Sequence, residues 1–180
     1  SVIVKHIQIP AGLSHPRGFA SSVSRARKIR SYQVESVWYQ KQNLDRPTSS
    51  PTPGCLGAVS ESGELFLVLE DLSICGFQDV LSQASMVEIR LVLHWLAGFH
   101  AAYLDNPGEG LWPVGTYWHL ATRPEELEEI RGTELHRFAS FLDARLRCGG
   151  YPTLVHGDAK LANFLFTKER DAVAAVDFQY

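Results

Sequence analysis

Two short motifs near the end of the 180-residue chain constrain its fold more than any other feature. The first is LVHGDAKLANFLF at residues 154–166, and the second is AVAAVDFQY at residues 172–180. Their apolar runs predict short strands at 154–155, 164–166 and 173–176. Each strand is followed or preceded by a turn that carries an Asp or Asn, and such turns aim polar side chains at one shared point. These polar residues are Asp158, Asn163 and Asp177.

The spacing D-x-K-x-x-N, followed by an apolar strand that ends in D-F, fits the chemistry of phosphoryl transfer. A protein that catalyses this reaction must hold Mg²⁺, orient the acceptor hydroxyl and neutralise the phosphoryl oxygens. Mg²⁺ prefers hard oxygen ligands, which predicts Asn163 and Asp177 as its ligands. Asp158 would accept the proton of the acceptor hydroxyl, and Lys160 would meet the transferred phosphate. Taken singly, either aspartate is more often a turn cap or a strand end, and only the combined spacing favours the catalytic interpretation.

The sequences HGDAKLAN and VDFQ resemble the phosphotransferase motifs of the aminoglycoside phosphotransferase and choline kinase superfamily. The combination of HGD with DFQ is most similar to its ecdysteroid-kinase-like and choline-kinase-like branch. Protein kinases more often carry Arg where Gly157 stands, whereas Lys160 matches their pattern, so a protein kinase stays open as an alternative. The resemblance implies a protein-kinase-like fold, ATP and Mg²⁺ as cofactors, and a small-molecule hydroxyl as the phosphate acceptor. Choline, ethanolamine, an aminoglycoside, a sugar or a sterol alcohol would each fit as that acceptor.

Two residues in the first part of the chain extend this interpretation. Lys5 lies inside an apolar strand at 2–7, where it is either an edge-strand lysine or the lysine that holds the phosphates of the nucleotide. A helix is predicted at about 25–43, and Glu35 lies on one face of it. In the kinase-like fold that the resemblance implies, a helix glutamate pairs with the strand lysine, so Glu35 is the candidate partner of Lys5. An exposed helix glutamate is the equally open alternative.

The middle of the chain is predicted to hold the boundary between two lobes. A stretch rich in Pro, Ser and Thr at 45–54 reads as a break, and a buried strand follows at 65–70. The resemblance implies that backbone groups around Glu70 and Leu72 form the hinge that binds the adenine edge. A strand followed by an acidic turn is the simpler alternative.

The predicted fold is therefore α+β and kinase-like, with a small β-rich lobe and a mainly helical lobe. Its divisions are residues 1–69 for the first lobe, 70–76 for the hinge and 77–180 for the second lobe, which carries the catalytic and magnesium loops. Neither a Gly-rich loop before Lys5 nor helices after Asp177 are found in the sequence. We therefore expect a piece of a longer protein, or a chain that has lost parts.

Helical spacing predicts further elements in the second lobe. A short helix is expected at 77–82, a helix buried on more than one side at 85–103, and a core helix at 133–147. His94 and His100, on the second of these, are expected to be structural. The aromatic residues of the 111–123 stretch could hold a quaternary ammonium, but packing is the more common role of such side chains. They are Trp112, Tyr117 and Trp118.

Composition excludes several classes of function. The net charge of −3 gives no electrostatic argument for nucleic acid. The sequence contains no apolar run of membrane-spanning length and no signal-peptide pattern. Three cysteines without ligand spacing predict reduced thiols in a cytoplasmic protein. The sequence does not predict the oligomeric state.

Two further classes of function remain as alternatives to a phosphotransferase. One is a non-catalytic, pseudokinase-like module that binds nucleotide without turnover. The other is a metal hydrolase built on His156, Asp158 and Asp177, which is disfavoured because such sites usually recruit more His ligands.

Overall fold

The computed structural model describes residues 1–8, 22–61, 63–115 and 120–180. Within these ranges the fold is mixed α+β, which confirms the predicted class. The strands are β1 (Val2–Gln8), β2 (Cys55–Glu61), β3 (Glu64–Glu70), β4 (Phe77–Val80), β5 (Phe164–Thr167) and β6 (Val173–Ala175). The α-helices are α1 (Ser22–Val37), α2 (Met86–Ala102), α3 (Pro124–Glu129) and α4 (Glu134–Arg147). Single helical turns lie at Leu72–Cys75, Leu120–Thr122 and Leu161–Asn163.

The first sheet is antiparallel and has the order β1-β3-β2. Its central strand β3 alternates buried and half-buried residues, and it buries Leu65, Leu67 and Leu69. Residues directly opposite each other in adjacent strands share a face of the sheet. Lys5 lies opposite Leu67, and Ile7 lies opposite Leu65. The register therefore places the Lys5 side chain on the core-facing side of the sheet.

One face of helix α1 and of the turn that continues it is buried, although it includes polar side chains. This face follows helical periodicity and combines apolar and polar side chains. It consists of Ser31, Val34, Glu35, Trp38 and Tyr39, all of them buried. The helix continues as a π-helical segment, Trp38–Gln42, which ends where the Asn43 N–H donates to the Trp38 carbonyl at 3.0 Å. Wide turns of this kind are frequent at functional sites.

The second sheet, β4-β5-β6, is also antiparallel and corrects two predictions. The helix expected at 77–82 is wrong, because these residues begin with strand β4, which pairs with β5 through Phe77–Thr167 and Asp79–Phe166. Gly76, at φ 91°, ends the preceding helical turn, and the four residues that follow pair across the sheet instead. The strand expected at 154–155 is also wrong, since the chain there forms only a single bridge, between Thr153 and Leu104.

The second half of the segment rich in Pro, Ser and Thr is packed into the interior, from Ser50 to Pro53, whereas most of its first half is exposed. The Ser50 hydroxyl donates to the Trp95 carbonyl at 2.8 Å. The Pro51 carbonyl accepts from the Trp95 indole N–H at 3.0 Å and from the Ala175 N–H at 3.1 Å. The Thr52 hydroxyl is buried as well and donates to the Asn43 side chain at 2.6 Å. This segment therefore ties helix α2 to strand β6.

The aromatic core holds side chains from both parts of the chain. Trp95 on α2 stacks on Phe99 with a centroid distance of 5.0 Å. Phe178 stacks on Trp38 of the π-helical segment at 4.4 Å, and its ring is tilted against His156 at 4.5 Å. Ile7, Leu65 and Leu67 of the first sheet belong to the same cluster of buried residues. The DFQ motif is therefore anchored in the centre of the core.

Helix α4 is not a core helix, which corrects the prediction. Its boundaries match the expected ones, and the Thr133 hydroxyl caps it by accepting from the His136 N–H at 3.2 Å. Its apolar face is nevertheless exposed, with fractions of 44% to 84%. The exposed residues are Leu135, Phe138, Leu142 and Leu146. Helical spacing predicts an apolar stripe, but it does not predict what covers that stripe.

Helix α2 is buried along one side only. Ser85 and Glu88 form a capping box at its start, and Trp95 and Phe99 are buried. Val87 is 60% exposed, so the expected burial on more than one side is wrong. His94 is exposed and His100 is half-buried, and burial lowers the pKa of His100.

Cys55, Cys75 and Cys148 are free, as the sequence predicts. None of the helices in the described ranges has both the length and the apolar character needed to cross a membrane.

Candidate functional site

A partly buried charge cluster joins strand β1, helix α1 and the DFQ motif. Lys5 Nζ donates to Glu35 Oε1 at 2.7 Å, to Glu35 Oε2 at 2.8 Å and to Asp177 Oδ1 at 2.8 Å. Glu35 is 1% exposed, whereas Lys5 and Asp177 are each about one-third exposed. The sequence analysis proposed Lys5 for the phosphates, Glu35 as the partner of Lys5 and Asp177 for the metal. The structure places Lys5 in direct contact with the other two.

Burial and the opposite charges of the partners act in opposite directions on the pKa of Lys5 and on the pKa of Glu35. Burial opposes the charge on Lys5, but the two carboxylates outweigh it and raise the pKa of Lys5 above its ordinary value. Burial also raises the pKa of Glu35, although the Lys5 ammonium acts in the opposite direction. Two carboxylates face one ammonium, so the cluster carries an excess of negative charge that favours cations.

Gln179 is a further member of the cluster that sequence reasoning did not assign. Its amide Nε2 donates to Asp177 Oδ1 at 2.8 Å and to Glu35 Oε2 at 3.3 Å. The side chain is buried, and the backbone carbonyl accepts from the Trp112 indole N–H at 3.0 Å. The DFQ motif could have pointed to Gln179, since the glutamine belongs to it. The sequence analysis used that glutamine only to choose between branches of a superfamily.

Asp177 adopts a backbone conformation that is rare for residues other than glycine. Its φ is 71°, in the left-handed region, and such strain concentrates at functional sites. The Tyr39 hydroxyl accepts from the Asp177 N–H at 3.4 Å, and burial raises the pKa of Tyr39. Phe178 follows in the aromatic core. These contacts fix the direction in which the Asp177 carboxylate leaves the strand.

The loop that carries Asp158, Lys160 and Asn163 forms a second, compact group of polar residues. Lys160 Nζ donates to Asp158 Oδ2 at 2.5 Å. Asn163 Nδ2 donates to the same oxygen at 3.3 Å and to the Asp158 carbonyl at 2.9 Å. Within the described ranges Oδ1 of Asp158 has no hydrogen-bond partner, and the residue is half-buried. One carboxylate oxygen is thus held in place while the other can accept a proton.

His156 holds this loop and is not placed to act as a catalyst or metal ligand. Its Nδ1 accepts from the Asp158 N–H at 3.3 Å, so Nε2 carries the proton and donates to the Val176 carbonyl at 2.9 Å. Burial lowers the pKa of His156, which favours the neutral ring that these two bonds require. Because both ring nitrogens are engaged, the geometry disfavours a metal hydrolase built on this residue.

Gly157 is required by a close approach of backbone to backbone. Its φ is 80°, and a Cβ at this position would lie 2.2 Å from the Tyr180 carbonyl oxygen. The motif HGD therefore brings its loop against the residues that follow Asp177.

Hydrogen bonds to backbone groups connect the loop around Asp158 with the charge cluster around Asp177. The Val176 N–H donates to the Asn163 carbonyl at 3.0 Å. His156 binds the carbonyl of that same valine, the residue before Asp177. Because these bonds cross between the two motifs, the position of the Asp158 loop depends on the position of the Asp177 turn.

A cleft of about 480 Å³ lies beside the charge cluster. Five of the eight predicted site residues line it: Lys5, Glu35, Glu70, Leu72 and Asp177. The other three, Asp158, Lys160 and Asn163, do not line the cleft, and the bonds described above connect their loop to Val176, which does. Its volume falls in the range of small-molecule sites, roughly 300–1,000 Å³.

Glu70 and Leu72 both line this cleft. The Glu70 carboxylate accepts from Arg46 at 2.6 Å and from the Gly54 N–H at 3.1 Å, and the first of these bonds lowers the pKa of Glu70. The Glu70 N–H donates to the Gly54 carbonyl at 2.9 Å, and the Leu72 carbonyl accepts from Gly76. The Glu70 carbonyl and the Leu72 N–H are then the groups to consider for a ligand.

Asp177 and Asn163 suit a hard cation. Oδ1 of Asp177 is held by Lys5 and Gln179, and no residue of the described ranges binds its Oδ2. The Asn163 amide nitrogen donates to Asp158, so the side-chain oxygen of Asn163 is left to bind a cation. No group of three or more His, Cys, Asp or Glu residues that could hold a metal occurs among the described residues. Mg²⁺ needs fewer protein ligands, because phosphates complete its coordination.

Trp112 is a packing residue. Besides its bond to Gln179, its ring lies 5.7 Å from the Arg30 guanidinium carbon. Tyr117 and Trp118 lie outside the described residues.

No family model matches this chain, and a search of curated proteins also finds no match.

One prediction follows from the buried His156. The pKa of this histidine in the folded protein lies below its ordinary value, so its contribution to stability is present above pH 6.5 and is lost as the pH falls through the folded-state pKa. We expect the free energy of unfolding to fall more steeply between about pH 7 and pH 5 in the wild type than in His156→Asn. Urea unfolding at a series of pH values measures this slope.

His94→Asn is the matched control for this experiment, because His94 is exposed on α2. Its slope should match that of the wild type. Equal slopes for the wild type and His156→Asn would contradict the assignment of a neutral, buried imidazole.

Proposed function

We propose that this protein is an ATP- and Mg²⁺-dependent phosphotransferase with a two-lobed, protein-kinase-like fold, and that it transfers the γ-phosphate to a hydroxyl of a small molecule. The observation that carries the proposal is the contact of Lys5 with both Glu35 and Asp177 at the wall of the 480 Å³ cleft. A strand lysine oriented by a helix glutamate and placed beside a metal-binding aspartate is the arrangement that protein kinases use for phosphoryl transfer.

The triphosphate end of the nucleotide would be held by the side chains of Lys5, Asp177 and Asn163. Lys5 supplies the positive charge, and Glu35 keeps its ammonium at the edge of the cleft. Asp177 and Asn163 would bind Mg²⁺ through Oδ2 and Oδ1, the oxygens that the described residues leave without a partner. Mg²⁺, when bound, neutralises charge on the phosphate oxygens.

The other end of the cleft suits a flat, weakly polar base. Leu69 and Leu72 provide apolar surface there, and the Glu70 carbonyl and Leu72 N–H would offer one acceptor and one donor. This pair of backbone groups matches the edge of an adenine.

Asp158 would act on the acceptor. A general base must lie within hydrogen-bond reach of the proton that it takes. Asn163 and Lys160 hold Oδ2 of Asp158, so Oδ1 would face the acceptor hydroxyl. The Lys160 ammonium, 2.5 Å from the same carboxylate, would then offset charge on the transferred phosphoryl group.

Thermal and urea unfolding with and without ATP and Mg²⁺ test the proposal. Ligand at 100 times its dissociation constant should add about 2.7 kcal/mol to the free energy of unfolding. This gain should require Mg²⁺ and should be largely lost in Asp177→Ala. Asp171→Ala is the matched control, because the hydrogen bonds that Asp171 makes to other described residues both involve the Thr167 hydroxyl of its own turn.

Turnover is then followed as ADP release in the presence of small alcohols. Release that depends on an alcohol supports the phosphotransferase. Nucleotide binding without release for any acceptor, peptides included, would favour a pseudokinase-like module, and release with peptides alone would favour a protein kinase. Absence of a nucleotide-dependent gain in stability would contradict all three.

A further inference from the structure

Lys5 has no free donor in this structure. A lysine ammonium carries three N–H donors. Its three contacts are with the two oxygens of Glu35 and with Oδ1 of Asp177, all between 2.7 and 2.8 Å. Before Lys5 can bind a phosphate oxygen, one of these bonds must therefore break.

The bond to Asp177 is the one with a replacement. Oδ1 of Asp177 already accepts a second hydrogen bond, from Gln179 Nε2 at 2.8 Å. The two bonds of Lys5 to Glu35, in contrast, hold a carboxylate that is 1% exposed, and losing them would leave a buried charge poorly compensated.

The Gln179 amide is fixed from both sides. Its backbone N–H donates to the Asp177 carbonyl at 3.1 Å, and its backbone carbonyl accepts from Trp112 at 3.0 Å. Its second amide contact, with Glu35 Oε2 at 3.3 Å, prevents rotation of the side chain. The donor is therefore preorganised to hold Asp177 without the help of Lys5.

We propose that Gln179 is a positioning residue that keeps the Asp177 carboxylate oriented for Mg²⁺ while Lys5 leaves Asp177 for a nucleotide phosphate. The inference rests on the proposed function. It assigns Oδ1 of Asp177 to Gln179 and leaves Oδ2 for the metal. A glutamine suits this task because its amide adds a donor without adding a second positive charge beside Mg²⁺.

The test compares Gln179→Met with the wild type. Methionine keeps the length and volume of the side chain but removes the donor. The dissociation constant of a non-hydrolysable ATP analogue is measured by calorimetry with Mg²⁺ and with EDTA. Loss of a residue that orients a metal ligand typically lowers metal affinity by roughly 10–100-fold. We expect a loss of that size with Mg²⁺, and little change of affinity with EDTA.

Gln42→Met is the matched control, since Gln42 is a half-buried glutamine whose amide donates once, to the Glu109 carbonyl, away from the cleft. It should bind the analogue as the wild type does under both conditions. An equal loss of affinity with Mg²⁺ and with EDTA in Gln179→Met would mean a merely structural role and would overturn the inference. Unchanged affinity under both conditions would overturn it as well.

A second measurement uses the wild type and applies even if Gln179→Met does not fold. Hydrogen exchange of the Gln179 side-chain amide is followed by NMR before and after addition of the analogue with Mg²⁺. Slow exchange in both states supports the proposal, and fast exchange in the bound state overturns it. A wild type that binds no nucleotide at all would instead refute the proposed function, and the inference with it.

Discussion

Asp158→Asn is expected to lower the turnover number by about 10²–10⁴-fold, the usual contribution of a general base. The variant keeps the shape of the side chain, and its carbonyl oxygen can still accept from Lys160 and Asn163, so the loop should stay folded. Asp158 does not line the 480 Å³ cleft, and the dissociation constant of ATP with Mg²⁺ should therefore change little. ADP release and calorimetry measure the two quantities.

Asp171→Asn serves as the matched control, because Asp171 is exposed in the turn between β5 and β6. It should leave both quantities unchanged. A turnover number in Asp158→Asn close to that of the wild type would remove Asp158 from the mechanism. A large loss of nucleotide affinity would instead assign it to the binding of Mg²⁺ with ATP.

Lys5→Met is expected to lower the free energy of unfolding by about 3 kcal/mol, at the lower end for a broken buried ion pair. The lower end applies because Lys5 is itself 31% exposed, whereas the Glu35 carboxylate that loses its cation is 1% exposed. Adding Glu35→Gln removes the uncompensated charge, so the double variant should regain most of the loss. Urea unfolding of the wild type, both single variants and the double variant measures the coupling.

The same pair predicts a pH dependence at the alkaline end. The pKa of Lys5 is raised in the folded protein, so its contribution to stability is present at neutral pH and is lost as the pH rises above 10.5 through the folded-state pKa. Lys5→Met should lack this alkaline loss. Additive effects of the two substitutions at neutral pH, or an unchanged alkaline loss, would show that the ion pair does not stabilise the fold.

The sequence predicted much of the site because its residues lie in local patterns. The strand around Lys5, the helix around Glu35 and the turn after 173–176 each follow from periodicity and turn residues within a few positions. The pairing of Lys5 with Glu35 followed from a resemblance and not from periodicity, and the structure places the two in contact. The contact of Lys5 with Asp177 was not predicted.

Long-range packing could not be predicted in this way. The sequence analysis placed Ser50 in a polar break between lobes. In the structure Ser50 is buried, and its hydroxyl donates to the carbonyl of Trp95 in a helix, 45 residues away. Phe77 begins a strand only because strand β5, far along the chain, pairs with it. The apolar stripe of α4 had the period of a core helix, but burial depends on neighbouring elements, and Leu146 is 84% exposed. Gln179 was missed because its role depends on two carboxylates from different elements.

The stack of Phe178 on Trp38 makes intrinsic tryptophan fluorescence sensitive to the position of the DFQ motif. Trp38 lies 4.4 Å from Phe178, and Trp112 donates its indole proton to the neighbouring Gln179. The Trp95 ring also lies 6.3 Å from Phe178, so three of the four tryptophans contact residues that follow Asp177. A shift of the turn at Asp177 would change the surroundings of these indoles, so intrinsic tryptophan emission is expected to report events in the cleft.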